Sequence, residues 1–292
     1  MNKIVIFAFG LILSSLHSVG QNIKQNAIYI IDSIPVIQDP GEGDDIAPTD
    51  IADLKVIKNK DTLKLLGYEK FDVAIFIFTK EYRERPTDIK QIPSTKQMER
   101  KTGVWYFRNI PYSGKFIDYY YSGRKQGEGI LQNGIVEGDR TLYHQNGNVA
   151  VDRNYVNGIE NGLEKEYYED GSLKQKGTFV NGKEEGVWEM YFPNGQVKQR
   201  SNFKDGNMDG ESTIYYSSGK ILAVEVTKNG KTTQDKRLVK INQVMDKGNS
   251  NSKEGDYKAA IKNYSKAIEL DTSNAEAYFA RGTAKLNDLQ FD

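Results

Sequence analysis

The sequence predicts a multidomain α+β chain: a small α+β module, a long antiparallel β-meander of 24-residue hairpin repeats, and an α-helical C-terminus. Three observations carry this. Gly114, Gly138, Gly162, Gly186 and Gly210 stand 24 residues apart, a fixed interval that marks a repeat array. Two runs near the N-terminus, "IYIIDSIPVI" and "FDVAIFIFTK", are rich in the β-branched and aromatic residues that favour strands. Beyond Lys240 the apolar residues fall at helical spacing.

The elements follow in order. Residues 1–20 read as a signal peptide, with Lys3 as its positive start, an apolar stretch from Ile4 to Leu16, and Ser18-Val19-Gly20 as a small-residue cleavage site. At 13 residues that stretch is too short to span a bilayer. Export is therefore expected, to the periplasm, the outer membrane or the exterior, with a mature chain starting near Gln21 and not integral to a membrane.

Residues 21–83 form the small module. The segment "DIAPTDIADLKVIKNKDTLKLLG" begins with the capping candidates Thr49 and Asp50 and follows an acidic loop, "DPGEGDD". Glu42, Asp44 and Asp45 in that loop lack the ordered spacing of a calcium loop and read as a solvated turn. The stretches Tyr29–Val36, Asp50–Lys58 and Ala74–Lys80 resemble the plug domain of TonB-dependent outer-membrane receptors over about 55 residues. "GYEKFD" stands where that family has a glycine-rich turn, and no transmembrane barrel follows, so the resemblance implies a small α+β module and no transporter. Residues 84–102, with two prolines, many charges and no apolar period, read as a linker.

The array occupies residues 103–232. A column of turn glycines runs through Gly123, Gly147, Gly171, Gly195 and Gly219, and a second through Gly134, Gly158, Gly182, Gly206 and Gly230. Each glycine follows Ser, Asn or Asp, a dipeptide that favours two-residue hairpin loops, so the chain is expected to reverse twice per repeat. A partial repeat begins near Gly103, with Ile110 in place of its turn glycine. Units such as "EGVWEMYFPNGQVKQRSNFKDGNMD" resemble the variant MORN repeats of YwqK-type antitoxin-like proteins, a resemblance that implies toxin neutralisation as one function.

Residues 233–292 resemble tetratricopeptide repeats through Gly248, Gly255-Asp256-Tyr257, Ala260, Tyr264, Ala267 and Leu270. Ala275, Tyr278, Gly282 and Ala284 begin a second, incomplete unit.

Composition narrows the chemistry. With no cysteine, the chain is no disulfide scaffold or thiolate metal protein, and no cofactor or metal is expected. The 40 basic and 40 acidic side chains are interspersed, which argues against nucleic acid as the main partner. After leader cleavage His144 is the only histidine, and its column holds Tyr120, Tyr168, Phe192 and Tyr216, so packing is expected there and not catalysis. Gly230-Lys231-Thr232 lacks the first glycine of a phosphate-binding loop, since Glu225 stands in its place. No enzyme is predicted.

A tyrosine column remains: Tyr119, Tyr143, Tyr167, Tyr191 and Tyr215. With two-residue loops throughout, position 144 pairs with 149, and the 144, 149 and 155 columns share one apolar face. Phe192→Ala would then cost about 3 kcal/mol. The tyrosines stand on the other face, beside Asp152, Lys176 and Arg200, either as a ladder that stiffens the sheet or as a recognition stripe. The function expected is an exported, non-enzymatic scaffold that binds proteins at the cell envelope. Toxin neutralisation and envelope glycan binding are the alternatives.

Overall fold

The computed structural model describes residues 26–36 and 46–289. They fall into two compact units: residues up to Asn161 together with Glu169–Gly171, and Gly162–Tyr168 together with Ser172 onward. The expected leader and the acidic side chains of Glu42, Asp44 and Asp45 lie outside the described residues.

In the first unit, β1 (Ala27–Ile31), β2 (Ile34–Pro35), β3 (Ile51–Ile57) and β4 (Val73–Thr79) form a sheet in the order β2-β1-β4-β3. β1 runs parallel to β4, and β3 antiparallel to it. Helix α1 (Lys60–Leu65) lies within the β3–β4 connection and buries Leu63 against Ile28, Ile30 and Ala74. Ile31, Ile46 and Ile77 cluster with Tyr121. β4, central and packed on both faces, accordingly reads as an unbroken apolar run. The capping expectation is corrected here. Asp50 closes a single 3-10 turn by accepting from the Ala47 amide at 3.0 Å, and the residues after it form β3. The helix cap is Asn59, which accepts from Thr62 N.

Residues 84–102, expected as a linker, carry elements of their own. Helix α2 (Lys80–Glu84) is capped by Thr79, and α3 (Thr87–Lys90), a 3-10 turn (Thr95–Gln97) and β5 (Glu99–Lys101) follow. The segment clasps the first repeat. Arg85 Nη2 donates to Gly123 O at 2.9 Å, and its guanidinium lies 3.5 Å from the centre of the Tyr119 ring. Asp118 accepts from Ser94 Oγ, Thr95 N and Thr95 Oγ1, each at 2.8 Å. β5, β6 (Val104–Phe107) and β7 (Ile110–Pro111) make a small sheet.

The array proper continues in this unit with β8 (Gly114–Tyr119), β9 (Lys125–Gln132), β10 (Ile135–Tyr143), β11 (Val149–Val156) and β12 (Ile159–Glu160), each antiparallel to the next. The two glycine columns make different loops. At Asn133-Gly134 and Asn157-Gly158 both residues have positive φ, and the flanking residues pair directly, as Gln132 with Ile135. These are the expected two-residue loops. At Gln145-Asn146-Gly147 only the glycine has positive φ, His144 N donates to Asn148 O, and Tyr143 pairs with Val149. That loop has three residues and a bulge after it, so the register read from the sequence is corrected. The 149 column lies on the tyrosine face and not with the 155 column.

In the second unit β13 (Gly162–Tyr167), β14 (Leu173–Val180), β15 (Lys183–Tyr191), β16 (Val197–Lys204), β17 (Asn207–Tyr215), β18 (Ile221–Lys228) and β19 (Lys231–Thr233) repeat the scheme. Opposite the tyrosine face, Trp188 is 9% exposed, edge-on to Phe179 at 5.1 Å and to Phe203 at 6.1 Å. Helices α4 (Lys236–Lys253), α5 (Tyr257–Leu270) and α6 (Ala275–Asp288) pack around Ile241, Val244, Met245, Ala260 and Tyr264. They join the last hairpin through Arg237 Nη2, which donates to Leu222 O at 2.6 Å, and through the Tyr216 hydroxyl, which donates to Asp271.

Candidate functional site

The tyrosine file sits where the strands enter the three-residue loops, and pairing places a charge ladder beside it. In the first unit the Tyr143 hydroxyl donates to Glu128 at 2.5 Å, and Lys115 and Lys125 stand 2.7 and 3.0 Å from the same carboxylate. Thr141 Oγ1 donates to Asp152 at 3.0 Å. In the second unit the Tyr191 hydroxyl donates to Glu189 at 2.7 Å, with Lys176 at 3.0 Å and Arg200 Nε at 2.8 Å. Asp152, Lys176 and Arg200 are thus neighbours of the tyrosines, as expected.

None of the five rings stands free in solvent. Tyr119 is 7% exposed under Arg85, while Tyr143, Tyr167, Tyr191 and Tyr215 are half-buried. Two of the hydroxyls are committed to glutamates. Beside its exposed lysine and arginine side chains, the face also exposes aliphatic ones in the second unit: Leu163 and Val187 are each 51% exposed, one repeat apart, and Val226 is 46% exposed.

The 144 column has a part in the fold that the sequence did not disclose. The Tyr120 hydroxyl donates to Tyr143 O at 2.6 Å, and the Tyr168 hydroxyl to Tyr191 O at 2.8 Å, so each staples its own hairpin to the next. Phe192 keeps the ring without the hydroxyl. It is half-buried, with Lys198 Nζ 6.0 Å from the ring centre. The interval of 23 between donor and acceptor was the available signal. The turn glycines lie in the loops as expected, with Gly123, Gly147, Gly171, Gly195 and Gly219 all at positive φ.

The ladder sets a pH dependence. Burial alone would raise the Glu128 carboxyl, but Lys115, Tyr143 and Lys125 together hold it at about 2, below its ordinary 4.5. The Tyr191 hydroxyl, then Arg200 and Lys176, overcome burial and bring Glu189 to about 2 as well. Between those values the unfolded chain binds more protons, so the stabilisation is complete above pH about 4.5 and is lost as pH falls toward about 2. With the lysines half exposed, each carboxylate contributes about 1 kcal/mol. Urea unfolding from pH 6 to about 2.5 should show a shallower loss of stability in Glu128→Gln/Glu189→Gln than in the unaltered chain. Parallel curves would contradict it.

A family model described as "MORN repeat variant" matches residues 136–157, 160–181, 184–205 and 208–229. The chain carries MORN-variant repeats. A model described as "TPR repeat" matches residues 248–287. No curated protein matches the chain. Among solved structures it is similar to a mutant of S. aureus TarM in complex with fondaparinux, alpha-GlcNAc-glycerol and UDP, at 11% identity over 37% of this chain, with a TM-score of 0.24. It is also similar to the Glycosylation Associate Protein (Gap123) complex from Streptococcus agalactiae, at 12% identity over 73% of this chain, with a TM-score of 0.25. The chain spans 22% and 33% of those two chains. Among the described residues no helix is long and apolar enough to cross a membrane, and no group of three or more acidic or histidine side chains is placed to hold a metal ion.

Proposed function

We propose that the chain is an exported, non-enzymatic scaffold that binds protein partners at the cell envelope. The observation that carries this is the union of two repeat classes in one chain, MORN-variant strands followed by TPR helices. Such arrays bury their cores between neighbouring units and leave broad surfaces for contact. The contact surface is the aliphatic strip on the tyrosine face of the second unit. Leu163 and Val187 there are half exposed, and apolar area of that kind is what a protein partner covers.

Export rests on the apolar leader, and its test is direct. N-terminal sequencing of the protein from its native host should begin near Gln21, whereas an intact Met1 in a cytoplasmic fraction would overturn it. Partner binding is tested by affinity capture from envelope extracts with the unaltered chain and with Leu163→Lys/Val187→Lys. The variant should retain its melting temperature, because both side chains already face solvent, and should lose the captured protein. Equal capture by both would remove the strip from the proposal. Recovery of glycan in place of protein would replace the proposal with the glycan-binding alternative.

A further inference from the structure

A cleft of about 440 Å³ opens in the first unit, where the 3-10 turn at Thr95–Gln97 meets the loop ends of β8, β9 and β10. We propose that it binds a small ligand through a single carboxylate, independently of the scaffold role.

Arg140 is the observation that points there. It lines the cleft, makes no ion pair among the described residues, and its Nε–H is shielded from water without a hydrogen-bond acceptor. A desolvated guanidinium edge without an acceptor is costly, and the surroundings sharpen the cost. Directly opposite on β11 is Arg153, whose own guanidinium is taken by Glu160 at 2.5 Å. The guanidinium carbon of Arg140 lies 5.8 Å from the centre of the Phe116 ring, a cation–π contact that favours this placement of the side chain. The Nη1/Nη2 edge, which is not shielded as Nε is, matches a carboxylate bidentately.

The rest of the lining decides which anion fits. Lys96 is the second cation, with Nζ donating to Tyr119 O at 2.6 Å. Asp118 is the one carboxylate, and its oxygens already accept from Ser94 and Thr95, so it does not neutralise Arg140. It does place a negative charge in the wall. Arg140 offers the ligand one positive charge, and a phosphate dianion would meet Asp118 with twice the repulsion of a carboxylate. Gly127, Leu142 and Ala150 give the lining an apolar part that suits the body of the ligand. The volume suits a carboxylic acid or the last residue or two of a peptide chain. These share one chemistry, a carboxylate on a small, partly apolar body.

The test uses the full chain and four probes, and follows the Arg140 Nε–H signal by NMR. Benzoate stands for a free acid, N-acetylglycine for a chain terminus, N-acetylglycinamide for the uncharged isostere and phenyl phosphate for a dianion. Benzoate or N-acetylglycine should shift the signal saturably, with a dissociation constant on the order of 1 mM for ligands of this size. The tighter of the two identifies the source. The amide should leave the signal in place, and Arg140→Lys, which keeps the charge but loses the fork, should weaken binding about tenfold at an unchanged melting temperature. Should that variant melt lower, the comparison of N-acetylglycine with its amide decides alone, since it needs no substitution. The proposal is overturned if neither carboxylate saturates by about 10 mM, if the amide binds equally, or if phenyl phosphate binds more tightly than both.

Discussion

Trp188→Ala is expected to lower the unfolding free energy of the second unit by about 3 kcal/mol, the largest loss for any aromatic truncation on that unit's strands. Trp188 fills the space between Phe179 and Phe203 and is the most enclosed aromatic side chain on those strands. Truncation leaves a cavity that a sheet pinned by hydrogen bonds at both ends cannot collapse. Phe192→Ala, by contrast, should cost about 1 kcal/mol or less, because the ring is half-buried at a loop, with Lys198 Nζ 6.0 Å from its centre. This is less than the sequence reading expected, because the ring is less enclosed than its apolar column implied. Urea unfolding of the two variants checks the order, and a larger loss for Phe192→Ala would show that its ring carries more of the core than Trp188.

Adding a single methyl group at Gly177 should destabilise by about 2 kcal/mol. A Cβ built there would lie 2.0 Å from Cδ2 and 2.1 Å from Cε2 of Trp188, so the indole must leave its place. Gly177 is not among the positive-φ glycines, so its backbone accepts alanine once the ring is gone. In a Trp188→Ala background Gly177→Ala should therefore be neutral or mildly stabilising, since glycine is the poorer strand residue. The sign change is the diagnostic. An additive loss in the double variant would show that the indole does not lie over Gly177.

The meander was legible because turn glycines and aromatics recur at one interval, and a hairpin unit that cannot bury a core alone must be stacked. The loops were only half legible. Xaa-Gly favours both two- and three-residue loops, and the residue before glycine separates them only in part, since Asn146, Asp170 and Asn194 precede glycine in three-residue loops. In the column at Gly134 it is always Asn or Asp, which tolerate the left-handed region, and the structure puts them there, with Asn133 at φ 50° and Asp205 at φ 51°. In the column at Gly123 the serines at 122 and 218 do not suit that region, and this was the available sign of a longer loop. The clasp was not legible at all. Arg85, Ser94 and Thr95 meet partners 23 to 38 residues away, and their segment looks like a linker because its few apolar residues have no period. Arg140 was hidden for a similar reason. Its column carries no shared residue type, so nothing in the repeat sets it apart.

On the proposed function, the tyrosines are a ladder that stiffens the sheet while the aliphatic side chains beside them bind the partner. Capture of the same envelope protein, measured alongside thermal unfolding for Leu163→Lys/Val187→Lys and for Tyr143→Phe/Tyr191→Phe, separates these roles. The prediction is that the lysine variant unfolds normally and captures nothing, whereas the phenylalanine variant captures fully and loses stability at neutral pH, because Glu128 and Glu189 keep their cations but lose the tyrosine hydrogen bonds. A phenylalanine variant that unfolds normally yet loses the partner would make the tyrosines a recognition stripe and contradict the account.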